Sequence, residues 1–429
     1  MSADPALLLD VSRLISRLGQ GPATGIDRVE AEWLAHLCGS GQNASGQNAS
    51  GRPHLLLARI GRRQVLLPPE AGAALLRWGA GDLSDLPAAG LVARLRGRDG
   101  PRQRAEAALR RRAILAGDGP AIARAALARL GSTAYLNVGH ANLLKPLWAG
   151  LAPLSRVVLI HDTIPLDHPE YTRAGQSARF RERLVAVLGQ ADLVLTISQA
   201  SRADVLRWRK ALHLPERAPV AAVPIGTRLA AADPAAIPAG LDLSRPFFVS
   251  IGTIEPRKNH ALLLDAWHEL ARRLPPERLP QLLIIGRRGW ENQETFARLD
   301  ALPAGGPIRE LNGLTDGAVA ALLERSHGLL MPSRAEGFGL PLTEAAARGV
   351  PVICAPLPAA REVLGGYARY LPPDDHRAWA AAIALLAAAL PLRLAPHPVP
   401  DWNSHFAGVD RLMRDRLQAA RLGAMPSRK

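Results

Sequence analysis

Cysteine, lysine, aromatic residues and long apolar runs are all scarce in this chain, and each shortage removes a class of protein from consideration. Cys38 and Cys354 are the only cysteines. They are too few for a disulfide framework and lack metal-ligand spacing, which fits a reducing compartment. Aromatic residues make up 4% of the 429, and none falls in the most basic segment, residues 94–130. Single-strand and RNA binders interleave basic residues with stacking aromatics, so nucleic acid is not an expected partner. The only long uncharged apolar run, "AWAAAIALLAAALPL" at 378–392, is shorter than the roughly 20 residues a bilayer span needs. It reads as a packed helix. No export signal is read at the amino terminus, which has neither a basic n-region nor a long apolar stretch before a cleavage site; a cytoplasmic address is the expectation.

What is abundant is arginine, with 49 copies against 4 lysines in a chain of formal charge +15. A basic excess points to an acidic partner, although much of it is spread through an Ala-, Gly- and Pro-rich composition. Residues 94–130 concentrate ten arginines against two aspartates and one glutamate. That stretch reads first as a solvated helix face and second as a surface for the anionic inner face of a membrane.

The length calls for two domains. Short runs rich in Val, Ile and Leu alternate with helix-length amphipathic stretches, the pattern of an α/β protein with parallel sheets. Strands are expected near 7–12, 54–60, 134–138, 156–161, 193–198 and 220–225, and again near 247–251, 281–285, 328–331 and 350–354. Helices are expected near 259–273, 315–325, 341–348 and 375–389, and one beginning at Thr24, where Thr-x-x-Asp to Asp27 suits a cap. "GQNASGQNASG" at 41–51 is a tandem five-residue unit and reads as a loop. A Pro- and Ala-rich connector at 227–246 separates a first domain, 1–226, from a second, 247–402; a last helix, about 403–425, is expected to pack back onto the first. Two doubly wound domains would turn their strand ends and helix starts toward one cleft.

The string "SRAEGFGLPLTEAAARGVPVICAP" at 333–356 places Glu336 and Glu344 around a glycine turn at a helix start. Pro341 suits the first helical position, and the amides of Phe338, Gly339 and Leu340 would leave that start facing a ligand, as in phosphate sites. Gly337 and Gly339 permit close approach to the backbone. A carboxylate accepts two hydrogen bonds and suits the paired hydroxyls of a sugar. Alone, Glu344 reads as a charge favouring the helix dipole and Glu336 as a solvated side chain.

The whole string resembles the Glu-x7-Glu signature of the retaining glycosyltransferases of family 4, which adopt the GT-B fold of two Rossmann-like domains facing an inter-domain cleft. The resemblance implies that Glu336 contacts the donor sugar, that Glu344 holds the ribose, and that the Gly337–Leu340 backbone meets the diphosphate. "FFVSIGTIEPRKNHALLLDAWHEL" at 247–270 resembles the family's basic loop. Lys258 matches its clamp lysine; Thr253 stands where an arginine often follows the strand glycine, and Arg257 is the candidate for the second charge. "RELNGLTDGAVAALLERSHGLLMPS" is similar to the base-binding region, with Leu314 as the contact to the base. "RVVLIHDTIPLDHPEYT" ends a strand with His161 and Asp162, which the resemblance sets beside the donor sugar in the catalytic group. "GPATGIDRVE" is similar to the first loop on the acceptor side, with Thr24 and Gly25; "TISQASRADV" also looks like a family segment.

What the resemblance implies is transfer of a hexose, with GDP-mannose among the donors, to a glycan or lipid-linked acceptor with retention, in surface polysaccharide or glycolipid synthesis. The sequence has no Asp-x-Asp motif, so neither a metal nor a cofactor is expected and the nucleotide sugar is a co-substrate. Same-face attack, in which the leaving phosphate takes the acceptor proton, stands beside a covalent route through Glu336 or Asp162. An epimerase or hydrolase of the same fold would use the donor cleft without an acceptor. A non-catalytic polysaccharide- or membrane-associated protein would keep the fold alone, against which the intact Glu336, Glu344 and Lys258 argue.

Overall fold

The computed structural model describes residues 4–21, 23–39, 51–95 and 97–423. Residues 41–50 of the tandem repeat, expected as a loop, lie outside the described residues. The remaining chain forms two sheets. Eight strands build the first: β1 Ala6–Asp10, β2 His54–Ile60, β3 Arg63–Leu67, β4 Leu115–Gly117, β5 Thr133–Asn137, β6 Ser155–Ile160, β7 Leu193–Thr196 and β8 Val220–Ala222. Their order is β4-β3-β2-β1-β5-β6-β7-β8. The second holds β9 Phe247–Ile251, β10 Gln281–Ile285, β11 Ile308–Leu311, β12 Gly328–Met331, β13 Val352–Cys354 and β14 Arg369–Tyr370, ordered β11-β10-β9-β12-β13-β14.

Strands covered by helices on both faces read as unbroken apolar runs, and "ALLLD" and "QLLII" are buried at every position. All pairs of the second sheet are parallel. The first departs from the parallel expectation. After Ile60 the chain turns at Gly61, whose φ of 65° suits glycine, and β3 returns antiparallel to β2 before β4 pairs antiparallel to β3. The arginine-rich segment therefore contains a sheet edge, with the helices Pro101–Arg111 and Gly119–Leu130 on either side of β4.

In each sheet the order reverses once, with β1 between β2 and β5 and β9 between β10 and β12. Ligands of open α/β sheets bind beyond the strand carboxyl ends at such points. Here the loops after β12 and β6 face each other. The last helix, Trp402–Gly423, lies on the first domain. Phe406, Val409 and Met413, at helical spacing, are buried, and the Trp33 ring meets Phe406 edge-on at 4.9 Å between centroids. The Trp33 indole N–H donates to His405 Nε2 at 3.2 Å, while His405 Nδ1 donates to the Pro224 carbonyl at 3.0 Å. Both ring nitrogens are thus used by the neutral imidazole. Burial moves its pKa down to about 4, so the ring stays neutral at pH 7. Among the described residues no helix is long and apolar enough to cross a membrane.

Candidate functional site

β12 ends at Met331, and nine residues later the helix Leu340–Ala347 begins. Gly339 sits before it at φ 95°, a conformation costly for any residue with a Cβ. Pro341 falls in the first turn, where an N–H has no partner within the helix in any case. The outcome is a helix start aimed into the cleft, with the positive end of its dipole toward whatever binds there.

Glu336 enters this turn nearly buried. Its Oε1 accepts from Lys258 Nζ at 2.6 Å, and its Oε2 lies 2.9 Å from Arg257 Nη1. Both cations come from the short turn Pro256–Lys258 after β9. Arg257 also pairs with buried Glu255 at 2.7 Å and donates to the Ala335 carbonyl at 2.8 Å. Burial would raise the Glu336 carboxyl, but the charges of Arg257 and Lys258 override it and bring it down to about 2. Since the folded pKa lies below the ordinary one, the stabilisation is complete above the usual glutamate range and is lost as pH falls towards 2. Burial lowers the Lys258 ammonium from its usual range, with Glu336 opposing. Arg257 is held above its ordinary range because Glu336, Glu255 and Asp162 outweigh its burial. Two fixed cations thus stand against three carboxylates, a group balanced closely enough for a ligand's charge to redistribute its partners.

Glu344, one turn into the helix, faces the first domain. Arg28, on the helix Gly25–Cys38, donates from Nη1 to Glu344 Oε1 at 3.1 Å and from Nη2 to Asp316 Oδ1 at 2.7 Å. Burial raises the Glu344 pKa, with Arg28 working in the opposite direction. Asp316 opens the helix Asp316–Arg325, two residues beyond the partly buried Leu314. Thr24 caps the Arg28 helix, its backbone N–H donating to Asp27 Oδ2 at 2.7 Å. A Cβ on Gly25 would lie 3.8 Å from Leu340. The acceptor-side loop and the diphosphate turn named from sequence are therefore neighbours across the cleft.

His161 and Asp162 follow β6 directly. The His161 ring is buried, and its Nε2 donates to the Val138 carbonyl at 2.6 Å. Burial takes its pKa down to about 4. A neutral ring committed to a carbonyl fixes backbone position. The His161 carbonyl in turn accepts from Ser201 Oγ at 2.8 Å, and a Cβ on Gly337 would come within 2.6 Å of that carbonyl oxygen. Burial raises the Asp162 pKa, with Arg257 pulling it back; its Oδ1 accepts from Ile164 N at 3.1 Å. Thr253 stands in the loop between β9 and the cationic turn, its methyl beside Gly289.

Several residues outside the sequence-based set complete the site: Arg28 and Asp316 around Glu344, Glu255 behind Arg257, and the pair Ser198 and Ser201. Ser198 was legible as a cap, since its Oγ accepts from Ser201 N at 3.0 Å at the start of the helix Gln199–Ala211. Its second contact, 2.8 Å to the Gly337 carbonyl, joins the domains. Glu362 of the second domain accepts from Gln199 N at 2.7 Å and Ala200 N at 3.1 Å, capping the same helix. Ser198→Ala removes a cap oxygen and this cross-domain bond, and the expected loss is about 1 kcal/mol of stability, read as a lower urea midpoint. Among the described residues no three His, Cys, Asp or Glu side chains converge as metal ligands would.

Residues 237–393 match the family described as glycosyl transferases group 1. Serotype-specific mannosyltransferase WbdA of Escherichia coli is 32% identical over 225 residues, covering 49% of this chain and 27% of that protein. O-antigen chain mannosyltransferase B of Escherichia coli is 31% identical over 244 residues, covering 53% and 60%. The match thus spans only part of each relative's length. Among solved structures, Anabaena HepE in complex with UDP-glucose superposes with a TM-score of 0.55 at 15% identity, covering 97% of this chain and all of the other. The alpha,alpha-trehalose 6-phosphate synthase of Burkholderia multivorans gives 0.53 at 16% identity, covering 72% and 76%. The fold is GT-B, and the family match together with the mannosyltransferase relatives supports a GT-B glycosyltransferase.

Proposed function

We propose that this chain transfers a mannosyl group from a nucleotide-diphosphate sugar, GDP-mannose in the first instance, to a glycan or lipid-linked acceptor with retention, in surface polysaccharide synthesis. The observation that carries the reading is the clustering of Glu336, Lys258 and Arg257 beneath the Gly337–Leu340 helix start, opposite His161 and Asp162. The mannosyltransferase relatives favour the sugar.

A diphosphate at the turn would compete with Glu336 for Lys258 and Arg257. Each cation can turn to the phosphate oxygens, while the carboxylate, released in part, accepts hydroxyls of the sugar. Departure of the nucleoside diphosphate then builds charge where Lys258, Arg257 and the helix amides already point, a preorganised stabilisation. In this reading the chain's own cations balance that charge and no metal is called for. Glu344 offers its second oxygen to ribose hydroxyls, with Arg28 holding the first. Same-face attack is the favoured route: Asp162 has its Oδ1 engaged by Ile164 N, and Glu336, shared between its two cations and the sugar hydroxyls, is occupied in binding, so neither is a free nucleophile. The acceptor enters from the Thr24–Gly25 side. Association with an anionic membrane surface through the exposed arginines of 94–130 belongs to the same proposal.

Glu344→Ala tests the nucleotide half. Truncation removes the ribose acceptor and releases Arg28, and calorimetry with GDP is expected to show affinity lower by about tenfold, in the range of a lost hydrogen bond to a charged group. Unchanged GDP affinity would sink the ribose assignment. Product analysis with and without acceptor separates transfer from hydrolysis or epimerisation.

A further inference from the structure

The donor-side reading leaves one concave site unused. Within the first domain, at the carboxyl ends of β1, β2 and β5, lies a cavity of about 230 Å³ lined by Ser12, Arg13, Arg59, Arg102, His140, Asn142 and Arg183 among others. It sits where the order of the first sheet reverses, the location that ligands of such sheets take. Four arginines line it, and no carboxylate does. Arg13 is paired with Asp27 at 2.6 Å and Arg102 with Glu106 at 3.0 Å. Among the described residues, the side chains of Arg59 and Arg183 have no ion-pair or hydrogen-bond partner. Both line the same cavity, and burial, then the charge of Arg59, push Arg183 down from its usual pKa.

The floor is built rather than incidental. Asn142 is buried, with Nδ2 donating to Asp10 Oδ2 and Gln64 Oε1 at 2.8 Å each, and Asp10 also accepts from Tyr135 and from Ser12 N. Burial raises the Asp10 pKa above its ordinary value, with the hydrogen bonds it accepts from Ser12, Asn142 and Tyr135 opposing. The cavity also adjoins the cleft. His140 on its wall accepts from the His161 backbone N–H at 3.1 Å, and the His161 carbonyl abuts Gly337. Arg13 reaches Thr24 Oγ1 at 3.2 Å, so one wall holds the acceptor-side loop.

We propose that this cavity receives a phosphate or diphosphate group carried by the acceptor, gripped by Arg59 and Arg183, with Arg13 and Arg102 at the rim. The inference rests on the transferase reading and names its acceptor class. Guanidinium forks match phosphate oxygens in geometry, and two converging forks outbid water for an oxyanion as one exposed arginine does not. The anion belongs either to a lipid carrier's diphosphate or to a phosphate substituent on a soluble glycan.

The test follows the melting temperature of the full chain as inorganic pyrophosphate is added with GDP held saturating, so that the donor site is filled. In the unaltered protein the temperature is expected to rise, and the double variant R59Q/R183Q should need at least tenfold more pyrophosphate for the same rise. R59K/R183K, which restores charge without the fork, should recover part of it. An equal response in the unaltered protein and R59Q/R183Q overturns the proposal. If GDP itself gives no stabilisation, the donor reading fails, while the pyrophosphate comparison still judges the cavity. Acceptor KM then identifies the source: a tenfold rise in R59Q/R183Q for a polyprenyl-diphosphate-linked sugar indicates the carrier, and the same rise for a phosphate-substituted oligosaccharide indicates the glycan. A rise for neither overturns the acceptor assignment.

Discussion

Lys258→Ala is expected to lower kcat by roughly 10²–10³-fold, about 3–4 kcal/mol of barrier, the usual cost of removing one preorganised donor from a developing charge. Nζ lies 2.6 Å from Glu336 and the side chain is almost buried, so little water replaces it when it is truncated. Arg257 remains, but it is already divided between Glu336, Glu255 and the Ala335 carbonyl. It cannot take over a second partner's share without giving up one of these. Glu336 would lose one of the two charges that hold its pKa near 2, and its carboxyl would move back toward the ordinary range. Lys258→Arg is not expected to rescue activity. The lysine stem runs along Gly252, where a Cβ would stand 3.3 Å from Cε and 3.5 Å from Nζ, and a guanidinium is wider than that groove. Single-turnover kinetics with saturating donor separates chemistry from binding. A rate within threefold of the unaltered protein would remove Lys258 from the leaving-group site.

The elements that formed this site were unevenly legible. Buried parallel strands announce themselves, because each is an unbroken apolar run between loops, and "LLIIG" and "GLLMP" needed nothing more. β3 did not: "RQVLL" opens with two polar residues only three positions after β2, and the turn at Gly61 that reverses it is short. β4, β11 and β14 are edge or near-edge strands of two to four residues, held by pairing with a neighbour rather than by their own pattern. The helix start at Leu340 could be read from Gly339 and Pro341, since both answer to local backbone rules. Arg28 could not. Its partners lie 288 and 316 residues away, and nothing local distinguishes it among 49 arginines. His161 shows the reverse case. Its place at a strand end marks it for the cleft, yet its Nε2 is spent on Val138, so backbone rather than imidazole faces the second domain.

That backbone contact sets the second large effect. Gly337→Val is expected to abolish measurable transfer, and Gly337→Ala to reduce it at least tenfold, because a Cβ here has no free space. It would stand 2.6 Å from the His161 carbonyl oxygen and 3.1 Å from the Asp162 Cβ. Neither can yield cheaply. His161 ends β6, its ring is bonded to Val138, and its carbonyl accepts from Ser201. The opposing Gly337 carbonyl is held by Ser198 at 2.8 Å and Ser201 at 3.3 Å. The turn must therefore back away from the first domain, carrying Glu336 and the Phe338–Leu340 amides with it. A displacement of roughly 1 Å of a positioning element costs on the order of 10²-fold in rate, while the overpacking itself costs about 1–3 kcal/mol of stability. The two effects are separable. If the nucleotide sits on the second domain as proposed, GDP should still bind Gly337→Ala within a few-fold, whereas transfer, which needs both domains in register, should fall. Ala and Val variants that retain full kcat would show that the turn works without touching His161, and the close approach of the domains would then be packing alone.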